Sequence, residues 1–334
     1  MEPGLHRVKC GYGSAMQVAF VTCTDPRVID EDVDRPLLIK EFESAGIKLR
    51  YVPWEDNEAA WDSFDLVVVR STWNYTTHLV EFREWLAGQR LNQNFHNPAQ
   101  LLEWNLDKRY LGDLEALGVR VIKTHFADDL LEFDQVVSEL NVDEIVVKPA
   151  TSAGSRNTGR FGRASMSARR LASLIFDEGG TVMVQPYVES VGRHGEVGTV
   201  LFNGEISHSF CKGPLLDAEG KLLGGDYREE ITSTIATDAL RELVVEANDA
   251  VERIARGRGW LRSDEHLLYD RYDVVELADG TPAILEAELF EPSFFLSVDS
   301  EAPRRFLETC RRRATSADPD SSLGTAEGSP VALK

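Results

Sequence analysis

Apolar residues fall in short blocks separated by charged, helically spaced stretches, and this alternation predicts most of the elements. Gln17 to Cys23 (QVAFVTC) and Phe64 to Arg70 (FDLVVVR) are apolar runs of strand length. The second leaves neither face polar, the pattern of a strand covered on both sides. LRYVPW supplies another strand. LLIKEFESAG has helical spacing and closes on Gly46, and Thr77 to Leu86 shows Leu79, Phe82, Trp85 and Leu86 on one helical side. Strands separated by helices predict a parallel sheet with helices over its faces. After Asn97-Pro98, LLEWNLDKRYLGDLEALG reads as one helix ending at Gly118, with a domain boundary near residue 105.

The next region reads VRVIKTHF, a helix around 132–140, EIVVKPA, a glycine-rich loop, a helix over 167–176, and TVMVQPYV. The region after it has an antiparallel pattern. VGTVLFNGEISHSF and YDVVELADGTPAILEAEL place Asn203-Gly204 and Asp279-Gly280 between strand-like flanks, the dipeptides of tight hairpins. An amphipathic helix over 238–256 lies between them. The division expected is a flexible leader 1–15, an N-terminal α/β domain 16–105, a central subdomain 106–185, a C-terminal subdomain 186–313 and a disordered tail 314–334 poor in apolar residues. The fold class is multidomain, α/β followed by α+β.

Charge and composition narrow the function. The 334 residues carry 36 Lys and Arg against 56 Asp and Glu, a formal charge of −20, which disfavours nucleic acid and anionic membrane surfaces as partners. Cys10, Cys23, Cys211 and Cys310 are scattered and form no CxxC pair, so neither a zinc site nor a disulfide framework is indicated. No apolar run approaches the ~20 residues that span a bilayer, and no secretory signal opens the chain. A cytoplasmic protein is expected.

The candidate chemistry starts at the last hairpin. With Asp279 and Gly280 as its two turn residues, Asp273 faces Glu286 and Arg271 faces Glu288, all on one sheet face. Facing carboxylates repel unless a cation lies between them, and oxygen-only donors suit Mg²⁺; a solvated charged face is the alternative. Lys148 ends the strand EIVVKP, where it is either a snorkelling edge group or a ligand for anions. The loop that follows, TSAGSRNTGRFG, interleaves Gly154, Gly159 and Gly162 with Ser152, Ser155 and Thr158, allowing backbone N–H groups to surround phosphate oxygens. It is not the GxxxxGK[ST] loop of common nucleoside triphosphatases. Arg70 ends VVVR at the carboxyl end of a parallel strand, a favoured ligand position, followed by Trp73 and Asn74. Arg228 is a second candidate anion holder.

In order along the chain these features, a helical Lys108, Lys148 in VVKP, the glycine-rich loop, VQPYV, GE before a strand, Lys212, and RxD with a carboxylate hairpin, resemble the ATP-grasp superfamily of the glutathione synthetase and D-alanine:D-alanine ligase type. The resemblance covers residues 16 to about 310 and implies an ATP-grasp fold, two α+β subdomains clasping ATP. It implies ATP and Mg²⁺ as cofactors, with Mn²⁺ as a substitute, and Lys108 and Lys148 on the ATP phosphates. The loop with Ser152, Gly154 and Ser155 would close over them. Gln185, Tyr187 and Val188 would meet the base, Glu196 the ribose, Lys212 the nucleotide, Arg271 the transferring phosphoryl, and Asp273, Glu286 and Glu288 the metal. Arg70 and Arg228 would fix an acceptor carboxylate or the phosphoryl group, with Asn74, His208 and Ser293 on the substrate side.

A narrower set, RSTWNY, EFREWL, NPAQLLEWNLDKRYL, CKGP and LEAELFEPSFFL, is similar to the ATP-grasp ligases that close the D-cycloserine ring from O-ureido-D-serine, and to their relatives. This implies a small amino-acid-like substrate, ligation through an acyl phosphate, and the dimers common among such ligases. A small-molecule kinase and a non-catalytic nucleotide-binding protein are the other readings. The chain departs from the pattern at Glu288, where many members carry Asn, at Gly198, where relatives commonly carry Ser, and in the insert LLDAEGKLLGG. An unbroken Asn203-Gly204 register would also place Glu196 opposite Cys211 rather than Lys212.

Overall fold

The computed structural model describes residues 15–154, 156–213 and 230–316. The first unit contains β1 (Gln17–Thr22), α1 (Pro26–Glu31), α2 (Arg35–Ser44), β2 (Lys48–Pro53), β3 (Leu66–Ser71), α3 (Leu79–Gln89) and β4 (Phe95–His96). Its strands form a parallel sheet in the order β2-β1-β3-β4. Every residue of β3 is buried, as its unbroken apolar run requires. The carboxyl ends of β1 to β3 therefore open on one edge, where an open α/β sheet takes its ligands.

The single helix expected after Pro98 is two: α4 (Ala99–Asn105) and α5 (Tyr110–Ala116). Asp107 accepts the backbone N–H of Arg109 at 2.9 Å, and the Lys108 N–H donates to Ala150 O at 2.9 Å. Local and tertiary bonds thus take donors that a continuous helix would use. Lys108 consequently sits in a turn, not on a helix.

Next come β5 (His125–Ala127), α6 (Leu130–Glu139), β6 (Glu144–Pro149), β7 (Gly159–Gly162), α7 (Met166–Asp177) and β8 (Val182–Pro186), an antiparallel sheet ordered β5-β8-β6-β7. The end of the glycine-rich stretch, expected as loop, is strand β7. The VRVIKTHF strand shortens to residues 125–127, with Val121 making only an isolated bridge to Ile284. Phe133, Ile145, Val147, Ala172 and Val184 belong to a core built wholly within this unit.

The last unit holds α8 (Glu189–His194), β9 (Glu196–Phe202), β10 (Glu205–Lys212), β11 (Ile231–Thr234), α9 (Asp238–Gly257), β12 (Tyr269–Glu276), β13 (Pro282–Glu288) and α10 (Ala302–Ser316). The sheet order is β11-β10-β9-β12-β13, antiparallel throughout. One face packs Leu201, Tyr272 and Val274 under α9 through Leu243, Val244 and Val251. On the other side, Phe202, Phe210, Tyr269, Phe294 and Phe306 of α10 share a core with Phe20 and Phe42 of the first unit. The expected tail is corrected at its start: α10 continues to Ser316, and Arg313 donates to Glu265 Oε1 at 2.6 Å and His266 O at 2.7 Å. The leader up to residue 14, the remainder of the tail and the LLDAEGKLLGG insert lie outside the described residues. Among those described, no helix is long and apolar enough to cross a membrane.

Candidate active site

β12 and β13 pair Arg271 with Glu288 and Asp273 with Glu286, as expected, but by another route. The turn is a three-residue loop, 278–280: Leu277 N–H donates to Thr281 O at 2.8 Å, and Gly280 has φ +81°. That loop offsets the register by one residue, and a bulge at Leu285 restores it before the charged positions. In the first hairpin Asn203 and Gly204 do form the two-residue turn, both with positive φ (51° and 78°). There a bulge at Ser207 moves the register so that Glu196 faces Lys212, not Cys211.

The two hairpins assemble a network of buried charges on the sheet face away from α9. Lys212 Nζ lies 3.0 Å from Asp273 Oδ2 and also pairs with Glu196. Arg271 donates to both Asp273 oxygens at 2.9 Å, to Glu288, and to the Ser293 carbonyl at 2.8 Å. From the α4–α5 turn, Lys108 Nζ meets Glu286 at 3.0 Å and donates to the Ser152 carbonyl at 3.1 Å. Lys148, at the end of β6, has no hydrogen-bond or ion-pair partner among the described residues.

Burial and charge set the protonation of these groups. Burial pushes Asp273 upward, but Arg271 and Lys212 outweigh it and hold the carboxyl at about 2. For Glu288 burial wins, assisted by Asp273 and Glu286 against Arg271, and the group is pushed up to about 7. Burial also raises Glu196 despite Lys212. Glu286 is lowered: burial opposes ionisation, and Lys108 with Lys148 overcome it. Burial lowers Lys148, with Glu286 resisting and Lys108 repelling. Basic groups held against carboxylates whose proton affinities differ leave donors that a polyphosphate can recruit.

The floor of the network requires one glycine by close approach. A Cβ at Gly198 would lie 2.4 Å from the Phe210 ring and 3.1 Å from Asp273 Oδ1. Phe210 in turn lies 5.9 Å from the Arg271 guanidinium. The departure from serine at this position and the aromatic ring on the neighbouring strand therefore belong together.

Other predicted residues are placed as follows. Ser152 sits at the mouth of the glycine-rich loop with its carbonyl on Lys108, and Gly154 takes φ +60°. Gln185 is buried and donates to Thr124 Oγ1 at 2.9 Å. The Tyr187 ring lies 3.7 Å below Arg160, and Val188 packs with Ile122 and Val275. Ser155 and Arg228 lie outside the described residues. Arg70 is 2% exposed, donates to Pro292 O at 2.9 Å, faces Asp34, and stacks 3.6 Å from Phe294. It clamps the first unit to the 291–296 segment. His208 is buried, its Nε2–H donating to Phe294 O at 2.7 Å, and burial lowers its pKa, so it is a neutral structural bridge. Asn74 is bound to the Glu55 carboxylate and, at 2.9 Å, to Trp54 Nε1.

Sequence reasoning did not single out Asp34, Tyr75 and Glu291. The Asp34 carboxylate accepts the N–H groups of Phe294 and Leu296 at 2.6 and 2.8 Å. Tyr75 donates to Glu291 Oε1 at 2.8 Å, and Trp73 Nε1 to Glu291 O at 2.9 Å. Glu291 had a local signal, a lone acid in the apolar run LFEPSFF. Asp34, 260 residues from Phe294, had none.

Asp273, Glu286 and Glu288 present only oxygen donors, the chemistry Mg²⁺ takes. Among the described residues, however, no group of three or more His, Cys, Asp or Glu stands as a ready metal cage, because Lys and Arg hold the carboxylates. The four basic residues, Lys108, Lys148, Lys212 and Arg271, stand against four carboxylates, Glu196, Asp273, Glu286 and Glu288. A bound triphosphate would leave such a site short of positive charge, and divalent cations would supply it.

A central sheet and a C-terminal antiparallel sheet that hold lysines, arginine and carboxylates towards one another define an enzyme of the ATP-grasp ligase class. Residues 18–97 match the family described as D-cycloserine synthetase DcsG, N-terminal domain. The cycloserine biosynthesis protein DcsG of Streptomyces lavendulae is 34% identical over 299 residues, 87% of this chain and 97% of that protein. The chain belongs to the DcsG family of ATP-grasp ligases. The crystal structure of D-cycloserine synthetase DcsG aligns with a TM-score of 0.79 at 32% identity, covering 89% of this chain and 99% of that one. D-alanine–D-alanine ligase from Bacillus anthracis has the same fold, with a TM-score of 0.66 at 12% identity over 90% of this chain and 98% of that one.

Proposed function

We propose that this enzyme is an ADP-forming carboxylate–nitrogen ligase acting on a small amino-acid-like substrate, with intramolecular ring closure of the D-cycloserine type as its reaction and antibiotic biosynthesis as its setting. The observation that supports the reading is the charge network in which Lys108, Lys212 and Arg271 pair with Glu286, Asp273 and Glu288, with Lys148 in the field of Glu286. A substrate carboxylate oxygen attacks the γ phosphorus of ATP, ADP leaves, and an acyl phosphate forms. A nitrogen then attacks the acyl carbon, loses its proton, and expels inorganic phosphate.

The chain needs no covalent nucleophile for this. Lys148 and Lys108 would neutralise and position the phosphates, and Arg271 would hold the transferring group as charge shifts to the leaving oxygen. Mg²⁺ held by Asp273, Glu286 and Glu288 would supply further charge neutralisation at the phosphates. Residues 152–162 would keep water from the acyl phosphate. Gln185, Tyr187 and Val188 would receive the base and Glu196 the ribose.

Incubation with ATP, Mg²⁺ and O-ureido-D-serine, with products identified by mass, tests the reading. ADP, phosphate and the cyclic product are expected, and added hydroxylamine should trap a hydroxamate. A stable phosphorylated alcohol would make the protein a kinase instead. ATP left unconsumed across a broad amino-acid and amine screen would overturn ligation.

A further inference from the structure

Glu291 is 8% exposed, and its two oxygens differ in kind. Oε1 accepts the Tyr75 hydroxyl at 2.8 Å, whereas Oε2 is fully buried with no hydrogen-bond partner. A buried acceptor left unpaired is costly, and such atoms concentrate where a ligand completes them. Glu291 lies three residues beyond Glu288, on the loop whose Ser293 carbonyl anchors Arg271 of the charge network. Its backbone is also fixed, by Trp73 on the Glu291 carbonyl and Arg70 on the Pro292 carbonyl.

Two further buried oxygens without partners occur at the carboxyl ends of the parallel strands: Glu55 Oε2, an acceptor, and the Thr72 hydroxyl, which can donate or accept. They belong to the same seam. Asn74 bonds to the Glu55 carboxylate, and Tyr75, the next residue, bonds to Glu291. The Glu291 and Glu55 oxygens lack donors, and a positively charged group with several N–H bonds is the complementary ligand for them; Arg70 Nε, on the same seam, is a buried donor without a partner. Two residues beyond Glu291, the Ser293 carbonyl binds Arg271 at 2.8 Å. One loop thus carries an unpaired carboxyl oxygen and, two residues on, a backbone carbonyl that fixes a cation of the site.

We propose that Glu291, positioned by Tyr75, receives the ammonium group of an amino-acid substrate and so selects α-amino acids over their des-amino counterparts. The inference rests on the ligase reading and adds the recognition element. An ammonium held by a carboxylate has no lone pair, so it cannot attack the acyl phosphate formed two bonds away.

The test compares O-ureido-D-serine with its des-amino analogue in the full-length protein, its Glu291→Gln and Tyr75→Phe variants, and a melting curve of each. Calorimetry with Mg²⁺ and a non-hydrolysable ATP analogue should give nucleotide affinities within about twofold of the parent, since neither residue is assigned to ATP. The parent should prefer the amine-bearing compound in KM by about tenfold or more, Glu291→Gln should erase most of that preference with a smaller change in kcat, and Tyr75→Phe should reduce it partly. An unchanged preference in Glu291→Gln would overturn the proposal. Should neither compound be converted, the cyclisation reading fails by itself, and calorimetric binding of the two compounds decides the inference. Tighter binding of the amine that Glu291→Gln abolishes supports it; equal binding, or none, overturns it.

Discussion

Lys148 and Glu286 address the same cleft from opposite electrostatic positions. Lys148 is a cation without a carboxylate of its own, and burial depresses its pKa. Glu286 is secured by Lys108 at 3.0 Å. Lys148→Ala should therefore cost at least about 10²-fold in ATP turnover while leaving the melting temperature unchanged or higher, because a half-buried charge without an ion-pair partner is removed. Glu286→Ala should cost comparable activity and also lower the melting temperature, since it strands Lys108. Turnover assays paired with thermal melts check both, and near-normal activity in either would remove that residue from the site. The positions of both were legible in the sequence, Lys148 at the end of an apolar strand and Glu286 on a hairpin whose period-two pattern fixes its face. Arg70 and His208 shared that legibility of position but not of role: distant carbonyls at Pro292 and Phe294 occupy their polar atoms.

Two hairpins present the carboxylates, and each depends on a bulge that no local pattern announces. Asn203-Gly204 and Asp279-Gly280 signalled the turns correctly as locations, whereas loop length and the bulges at Ser207 and Leu285 follow from packing across neighbouring strands. The agreement at Asp273 and Glu286 arose because a longer loop and a bulge offset each other. Gly198 offers a test of this packing. Gly198→Ser drives a Cβ to 2.4 Å from the Phe210 ring, so a loss of about 1–3 kcal/mol is expected. Phe210→Leu in the same chain should return part of it. Denaturant melts of the two single variants and the double variant measure the coupling, and strict additivity would show that the two residues do not compete for space.

At the scale of the molecule, three sheets are joined by links that adjacent sequence does not reveal. The alternation of strands and helices predicted the sheets, but not that α10 returns to the first of them. That return contributes a pH dependence. His96 is 8% exposed, its Nδ1 accepts from Arg313 at 3.2 Å, and burial, with Arg313 repelling, lowers its pKa to about 3. The unfolded chain protonates this group near 6.5, so stability is fully present above that value and declines as pH falls towards about 3, by up to about 1.4 kcal/mol per pH unit. Melting temperatures recorded across this window should fall more shallowly in His96→Gln than in the parent. Parallel slopes would assign the acid sensitivity elsewhere.

The position of α10 also separates order along the chain from mechanical order. With the final described helix seated on the first described sheet, the described chain closes on itself, while the stretch 125–186 is supplied with a core of its own. A unit with its own core can shift as one body against the carboxylate ribbon, since its stability does not depend on that packing alone.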